Sequence, residues 1–383
     1  MKLPIHCIAL AIKLVFLCQV LSAQFTYTVS TLLPEDSHLL DDGLCLDAQG
    51  HLYGSYWGIW QGAAGRHVLH YAPDGTHDTL AVGFERPNGL ACTNNGVVVA
   101  DSGNNRLVRI APDGTRTVIA NVPGVSDVLA VPGTDSLIAT SWGQNRVYGI
   151  GPDGTVSTIS TSSLYNGSVG TAFDTLGRLY IANFNNGRIM RLTQGELEMF
   201  ADIGGGIGFI TYADGAILAT NHISKKIFRL PINGVGVEVI AGSGTADIVD
   251  GVGLEASFRS PNGIAATPSG DTIYVSEFEA KALRMIVRTP EVVNNTPETA
   301  PISRPLAYPL PTSSWLYLEN LDLQRVARAV ISDASGAIVK QVSKEELQHA
   351  KIDCQRLPQG MYLLSILDAQ EQLYFHTRLP IIR

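Results

Sequence analysis

The sequence predicts an all-β fold, a six-bladed β-propeller followed by a small β-sandwich. Short β-rich runs alternate with clusters of Gly, Pro, Asn and Asp, and helical periodicity is scarce. A unit of about 40 residues with about four strand signals repeats six times, and a further β-rich segment follows the last repeat. Repeats of this length with four antiparallel strands are typical of propeller blades.

Composition and charge indicate which classes of binding partner to expect. The chain has 383 residues, of which 45% are hydrophobic and 16% are charged, a composition typical of a globular protein. The formal net charge is −8. Phosphate binding requires a basic face, so we expect no nucleic-acid partner.

The first 23 residues predict a secretory signal peptide. Lys2 supplies positive charge, an apolar stretch follows it, and Ser22-Ala23 offers small residues for cleavage. The alternative, a membrane anchor, requires a longer uninterrupted apolar run than this segment has. We therefore expect a secreted protein with no transmembrane span in the mature chain.

Cleavage of this segment would leave three cysteines, Cys45, Cys92 and Cys354. Three cysteines scattered through an exported chain do not make a disulfide framework. We therefore expect them to be buried thiols.

The second repeat shows the unit in full. Its four predicted strands span residues 89–93, 97–101, 107–111 and 116–120. The last two are joined by Pro-Asp-Gly-Thr at 112–115, where Pro presets φ and Gly takes the left-handed position of a hairpin turn. The same turn recurs at 73–76 and 152–155.

Each repeat begins with a residue that opens its first strand. In chain order these residues are Asp42, Asn88, Asp127, Val169, Ile207 and Asn262. The last interval is the longest because it holds an insertion, residues 241–260. The propeller is thus predicted to span residues 24–288, with a Pro-rich linker at 289–304.

The sixth repeat lacks its fourth strand signal, and residues 25–33 precede the first blade without a blade of their own. We expect residues 25–33 to supply the missing outer strand. This would tie the ends of the ring together and cover an open sheet edge.

Several stretches resemble known propeller families. "ADSGNNRLVRI" and "AGSGTADIVDGVGLEASFRSPNGIA" resemble NHL repeats, and "DGLCLDAQGHLYGS" and "RPNGLA" resemble the SMP-30/gluconolactonase family. The resemblance covers residues 25–288 and implies a six-bladed propeller. It implies one of several activities, because the superfamily includes lactone hydrolases, lyases and non-catalytic binding modules.

Residues 305–383 form a second β-rich unit, which the strand pattern predicts to be a small β-sandwich. The unit resembles the C-terminal sorting domain of the bacterial type IX secretion system. The resemblance rests on "YPLPT" at 308–312, the Asp333 to Gly336 turn, "LPQGMYLL" at 357–364 and the final "IIR". It implies contact with the outer-membrane secretion machinery, export, and then release or surface attachment. The alternative is an accessory adhesion domain.

The first strand of each propeller blade lines the central channel, so the six opening residues point into its mouth. Asn262, Asp42, Asn88 and Asp127 carry oxygen and fall on consecutive blades, whereas Val169 and Ile207 are apolar neighbours. Carboxylate and amide oxygens suit a hard divalent cation, of which we favour Ca²⁺. The apolar arc suits a small organic ligand beside it.

The family resemblance implies a similar metal site. SMP-30-like enzymes take an Asn from Asn-Gly-Leu, an Asp from Asp-Gly-Met on the next blade, and a Glu two blades further on. Asn262, Asp42 and Asp127 follow this cyclic order, although the family's Glu-Gly-Pro motif is absent from the sequence. We predict these three residues and Asn88 as metal ligands, with Asp42 and Asp127 as catalytic carboxylates. The alternative is that Asn-Gly and Asp-Gly are ordinary turn residues in a water-filled channel.

The loops that follow the second strands open on the same face as the channel mouth. They carry Trp57, Trp142, Phe184 and His222, which together with Val169 and Ile207 are the predicted substrate-binding residues. His222 is also a candidate proton shuttle, the alternative being a solvated loop histidine.

Two functions remain open. The first is a divalent-metal-dependent hydrolase of lactones or esters, in which the cation polarises the carbonyl and a carboxylate activates water. The second is a secreted propeller that binds a ligand or protein without chemistry. The cyclic order of Asn262, Asp42 and Asp127 favours the first function, and the missing Glu-Gly-Pro motif favours the second.

Overall fold

The repeats form a ring of antiparallel β-sheets, and the tail forms a separate pair of sheets. The computed structural model describes residues 25–35, 40–234, 236–290, 305–308, 312 and 314–382. The predicted signal peptide, residues 291–304 of the predicted linker, and most of the "YPLPT" motif lie outside the described residues. The all-β prediction of a six-bladed propeller and a small sandwich is confirmed.

The first strand in the chain, β1 (Phe25–Leu33), precedes the blades. The strands of blades 1 to 3 are β2 (Leu44–Leu46), β3 (Leu52–Ser55), β4 (His67–Tyr71), β5 (His77–Val82), β6 (Pro87–Thr93), β7 (Gly96–Asp101), β8 (Arg106–Ile110), β9 (Arg116–Asn121), β10 (Val125–Ala130), β11 (Leu137–Ser141), β12 (Arg146–Ile150) and β13 (Val156–Thr161).

The strands of blades 4 and 5 are β14 (Ser168–Phe173), β15 (Leu179–Asn183), β16 (Arg188–Thr193), β17 (Glu196–Asp202), β18 (Ile207–Ala213), β19 (Ala216–Asn221), β20 (Lys226–Pro231) and β21 (Glu238–Ala241). The remaining propeller strands are β22 (Gly251–Val252), β23 (Pro261–Ala266), β24 (Thr272–Glu277) and β25 (Ala282–Pro290). Short 3₁₀ helices span Ser102–Asn104 and Gly253–Glu255.

Blade 6 closes the ring as the sequence predicts. Its sheet has the strand order β22-β1-β25-β24-β23, so β1 pairs antiparallel with the last strand of the propeller. The insertion contributes β22, which pairs with the other edge of β1. The Asp250 carboxylate accepts hydrogen bonds from the Thr31 backbone N–H and hydroxyl at 3.1 and 2.8 Å. The last propeller strand ends at Pro290, two residues beyond the predicted domain boundary.

Apolar side chains fill the spaces between neighbouring blades. Val98 and Leu107 of blade 2 pack with Val128 and Ala139 of blade 3, and all four are fully buried or nearly so. Because both faces of these sheets are buried, the strands have near-continuous hydrophobic sequences. This packing holds the inner strands in a fixed ring around the channel.

The expectation that Cys45 and Cys92 are thiols is wrong. They form a disulfide that joins the inner strands of blades 1 and 2, with the two Cα atoms 5.7 Å apart. Although the two cysteines are 47 positions apart in the chain, they lie on the inner strands of consecutive blades, which are neighbours in the ring. Cys354, by contrast, is a buried thiol in the tail.

The tail is a β-sandwich with its own core. Its strands are β26 (Leu306–Tyr308), β27 (Trp315–Glu319), β28 (Val326–Ser332), β29 (Ile338–Ser343), β30 (Lys351–Asp353), β31 (Gly360–Asp368) and β32 (Leu373–Ile381). One sheet has the order β26-β27-β30 and the other β29-β28-β31-β32. A single turn of helix, α1 (Lys344–Leu347), begins with a capping box between Ser343 and Glu346.

Candidate functional site

The six channel-mouth positions lie at one end of the ring, which we call the loop face because it also carries the loop after each second strand. Hydroxyl groups on second strands fix four of these positions by donating to the backbone carbonyl of the next blade's mouth residue. The four bonds measure 2.5 to 2.9 Å and run from Ser55 to Asn88, Thr140 to Val169, Thr220 to Asn262 and Ser276 to Asp42. The same hydrogen bond thus recurs at equivalent positions of four repeats, in agreement with their predicted alignment.

Glycines behind the mouth residues allow the inner strands to approach closely. A Cβ atom on Gly263 would lie 2.0 Å from the carbonyl oxygen of Asp42, and one on Gly43 would lie 2.7 Å from that of Asn88. Most inner strands also carry a register irregularity here, as between Pro261 and Ile264. Such bulges re-aim side chains, in this case around a narrow channel neck. We use "channel neck" for Asp42, Asn88, Asp127 and Asn262.

Two pairs of side chains dominate the channel neck. The Asn262 side-chain N–H donates to the Asp42 carboxylate at 2.9 Å and to the Asp41 carbonyl at 3.2 Å. The Thr171 hydroxyl donates to the Asp127 carboxylate at 2.6 Å. Asp42 and Asp127 are each 4% exposed. The structure therefore brings Asn262 and Asp42 together as predicted, and it adds Thr171 to the predicted set.

Burial makes both carboxylates unfavourable in their charged form. It raises the pKa of Asp42 well above its usual range, and the neighbouring charge of Asp41 raises it further. Burial also raises the pKa of Asp127 to about 7, against the lowering effect of the Thr171 hydrogen bond. The charge of Asp127 adds to the upward shift in the pKa of Asp42.

Asn88 lies between these two carboxylates in the order of the ring. Its side-chain oxygen is buried and has no hydrogen-bond partner among the described residues. A buried amide oxygen without a partner costs about 1–3 kcal/mol. An oxygen-seeking cation would satisfy this atom and neutralise the neighbouring carboxylates, so the four residues of the channel neck fit a hard divalent ion. Within the described ranges, His, Cys, Asp and Glu alone form no group of three that could hold a metal.

Val169 and Ile207, the two predicted apolar residues of the mouth, lie in the hydrophobic core shared by blades 4 and 5. Val169 is 5% exposed and Ile207 is 0% exposed. Ile207 thus offers no accessible surface to a ligand in this structure, because its strand turns the side chain between the blades.

A cavity of about 190 Å³ lies deeper in the channel. Its walls are formed by residues one to four positions beyond the mouth residues, Thr171 among them, together with Asp127 itself. Thr211 adds a second hydroxyl, and the Cys45–Cys92 disulfide forms part of the wall. Asp127 therefore borders both the channel neck and this cavity.

The loop face carries a continuous series of rings, which we call the aromatic arc. Neighbouring ring centroids lie 5.3 to 6.2 Å apart in the order Trp60, Trp57, Phe278, His222, Phe184 and Trp142. These residues come from blades 1, 6, 5, 4 and 3, all from the loop after the second strand. The structure thus brings together the four predicted substrate-binding residues Trp57, Trp142, Phe184 and His222.

Blade 2 has Ser102 in place of an aromatic residue at this loop position. Arg86 packs beside this gap, with its guanidinium carbon 4.2 Å from the centre of the Trp57 ring. The same guanidinium donates to the carbonyls of Ile59 and Gly62 at 3.2 and 2.8 Å. Arg86 thereby holds the loop that carries Trp57 and Trp60.

A buried ion pair between Lys281 and Asp41 contacts the aromatic arc. The Lys281 ammonium donates to the Asp41 carboxylate at 2.9 Å and lies 4.6 Å from the centre of the Phe278 ring. Asp41 also accepts from the Trp57 backbone N–H at 2.6 Å. Burial raises the pKa of Asp41 to about 6 although Lys281 opposes the shift. For His222, burial lowers the pKa, and the nearby Lys225 adds to the effect, so its imidazole is neutral at pH 7.

Phe278, Trp60 and Arg86 belong to this site but were not predicted from the sequence. Phe278 directly follows the second strand of its blade, as Trp142, Phe184 and His222 do in theirs. Comparing this one position across all six repeats would have revealed it. Trp60 lies within the longer 56–66 loop, where the repeat gives no position to compare.

Comparison with known proteins assigns the tail. Residues 306–376 match the family described as secretion system C-terminal sorting domain. The tail is a secretion sorting domain. This supports export to the cell surface or beyond it and contact with the secretion machinery, while the predicted signal peptide lies outside the described residues. No helix in the described part of the chain is long and apolar enough to cross a membrane.

Solved structures are similar to the propeller. An auxiliary nutrient binding protein from Bacteroides thetaiotaomicron has a TM-score of 0.57 and 15% identity, over 69% of this chain and 77% of that chain. A gluconolactonase from Xanthomonas campestris has a TM-score of 0.53 and 15% identity, over 68% and 89%. Likeness at this identity establishes the fold alone, that of a β-propeller. No curated protein matches the chain in sequence.

Proposed function

We propose that the secreted propeller is a divalent-cation-dependent hydrolase of lactones or esters, with its reaction centre at the channel neck. The observation that carries this proposal is the unpartnered oxygen of Asn88 between two buried carboxylates. Asp42, Asn88, Asp127 and Asn262 would hold the cation through oxygen. When bound, the cation would polarise the substrate carbonyl and offset the charge of the two carboxylates.

Hydrogen bonds fix the orientation of some channel-neck side chains and leave other oxygen atoms for a ligand. Asp42 is oriented by the Asn262 amide, and this bond leaves its second carboxylate oxygen for a ligand. Asp127 uses one oxygen to accept from Thr171 and borders the 190 Å³ cavity, which has room for several waters. Asp127 is therefore placed to take a proton from water that enters from the cavity side.

The aromatic arc would bind the apolar part of the substrate above the neck. Trp57, Phe184 and Trp142 offer ring surface, and the neutral His222 can donate or accept one hydrogen bond at the leaving group. The gluconolactonase among the similar structures supports this assignment as a precedent for the fold.

The alternative is a propeller that binds its ligand without chemistry. The aromatic arc would serve equally to bind a ligand without catalysis. The nutrient binding protein from Bacteroides thetaiotaomicron is a precedent for such a role. The absence of the Glu-Gly-Pro motif from the sequence also favours it.

Hydrolysis assays on the exported protein distinguish the two. We expect turnover of small lactones or aryl esters with Ca²⁺ or another divalent ion, loss of turnover with a chelator, and loss in Asp127→Asn. Turnover that resists the chelator would contradict the proposed site. A complete lack of turnover together with cation binding would favour the binding propeller.

A further inference from the structure

We propose that the aromatic arc is a binding surface for an oligosaccharide, several sugar units long, on the loop face of the propeller. This deepens the proposed function, since it assigns a polymeric substrate class to the same face. The arc spans five of six blades, which is more ring surface than a small lactone or ester needs. Its two ends are the most accessible, with Trp60 63% and Trp142 37% exposed.

Two cationic side chains pack on the rings of the arc, and they indicate the charge of the ligand that the arc would bind. Arg86 already lies over the Trp57 ring and Lys281 over the Phe278 ring, at 4.2 and 4.6 Å from the ring centres. Aromatic faces attract cations, but a cationic ligand would meet these two resident charges. A neutral ligand with apolar faces, such as the C–H face of a sugar ring, avoids this repulsion.

An unpartnered polar atom near the arc matches the hydroxyl groups of a sugar. The Ser224 hydroxyl, two residues beyond His222, is buried and without a hydrogen-bond partner in the described part of the chain. The neutral imidazole of His222 supplies one donor and one acceptor. Binding sites of this kind combine apolar walls with a few polar groups that fix orientation.

Tryptophan fluorescence tests the proposal directly. Trp57, Trp60, Trp142 and Trp315 are the four tryptophans of the chain, and Trp315 lies in the tail. In a Trp315→Phe background, all tryptophan emission comes from the arc. The probes are soluble β-glucan, α-glucan, xylan and mannan, each titrated with Ca²⁺ and again with a chelator.

We expect a saturable emission change with at least one of these polysaccharides. Trp142→Ala and Trp60→Ala should each weaken binding at least about tenfold, measured by affinity electrophoresis. Leu176→Ala is the matched control, because Leu176 is 72% exposed in the turn between β14 and β15 at the opposite end of the blade. Thermal unfolding checks that each variant folds, and Trp60→Ala changes only an exposed loop side chain.

Three results would overturn the oligosaccharide assignment. One is no emission change with any probe, and another is binding unaffected by both tryptophan variants. The third is a concentration-dependent emission shift without saccharide, which would assign the arc to a second copy of the chain. Binding that survives the chelator and Asp42→Asn, without hydrolysis, would support the arc while contradicting the proposed hydrolase.

Discussion

Asp42 keeps a carboxyl group at 4% exposure with a neutral amide, Asn262, as its side-chain partner. One hydrogen bond does not offset the loss of water around a charge. The folded protein therefore holds a proton on this group more tightly than the unfolded chain does, and the same holds for Asp127. Stability without a cation should fall as pH rises from about 4, the unfolded pKa, through about 7 for Asp127.

Asp42→Asn should remove most of this cost. In the presence of a chelator at pH 8, we expect the variant to unfold at a higher temperature than the wild type, because the uncompensated buried charge has been removed. At pH 4, where the Asp42 carboxyl is protonated in the folded state, the difference should shrink. Thermal unfolding at the two pH values measures both effects, and a variant less stable than wild type at pH 8 would contradict them.

Asp101→Asn is the matched control at a buried carboxylate of the neighbouring blade. Asp101 is 0% exposed, but it accepts from the Arg106 guanidinium and the Glu85 backbone N–H, both at 2.7 Å. Here the charge is paired, so its removal should destabilise the propeller by about 1–3 kcal/mol. Opposite signs for the two variants would separate an unpaired carboxylate from a paired one.

Among the strands, the Cys45–Cys92 disulfide joins two inner strands that the chain separates by 47 positions. Closing such a loop in the unfolded chain is worth about 4 kcal/mol in the chain-entropy view. The double variant Cys45→Ala/Cys92→Ala should therefore lose about 2–5 kcal/mol of stability in denaturant unfolding. Equal midpoints for the double variant and the oxidised wild type would contradict the bond.

A second prediction concerns β1, the strand that pairs with β25 in blade 6. Deleting residues 25–33 removes β1 and leaves β25 with a bare edge, so the propeller should lose several kcal/mol or aggregate. Unchanged thermal unfolding would contradict ring closure by this strand.

Two point variants provide a finer control on β1. Val29 is 1% exposed, whereas the preceding Thr28 is exposed on the other face of the strand. Val29→Asp would bury a charge and should unfold the blade, while Thr28→Asp should change stability by less than about 0.5 kcal/mol.

The blades were predictable because each repeat carries its own turn chemistry and strand pattern. The disulfide was not, since the two cysteines occupy different positions within their repeats. Cys45 lies three positions beyond Asp42 but Cys92 lies four beyond Asn88, so the repeat alignment does not pair them. A register irregularity between Pro87 and Leu90 absorbs the extra residue.

For the whole molecule, the sorting domain and the propeller have separate roles. Truncation of residues 305–383 should leave the propeller folded, because the tail has a hydrophobic core of its own. In the native host the truncated protein should remain in the periplasm, whereas the full chain should appear outside the cell. Fractionation with an antibody to the propeller measures this, and export of the truncated protein would contradict a sorting role.

The candidate site was partly predictable from the order of blades around the ring. The contact between Asn262 and Asp42 follows from that order, since blade 6 adjoins blade 1. The burial of Ile207 and the unpartnered Asn88 oxygen depend on side-chain direction within irregular inner strands, which no periodic pattern specifies. The Thr171 hydroxyl likewise reaches Asp127 from the next blade, three positions into its strand.

Titration calorimetry with divalent cations is the most direct test of the channel neck. The wild-type protein, after treatment with a chelator and dialysis, should bind one Ca²⁺, Mg²⁺ or Mn²⁺ per chain at pH 7.5, more weakly as pH falls and the carboxylates protonate. Asp42→Asn should abolish most of the heat, and Leu176→Ala should leave it unchanged. No binding by the wild type, or equal binding by Asp42→Asn, would contradict the cation site and the hydrolase proposed from it.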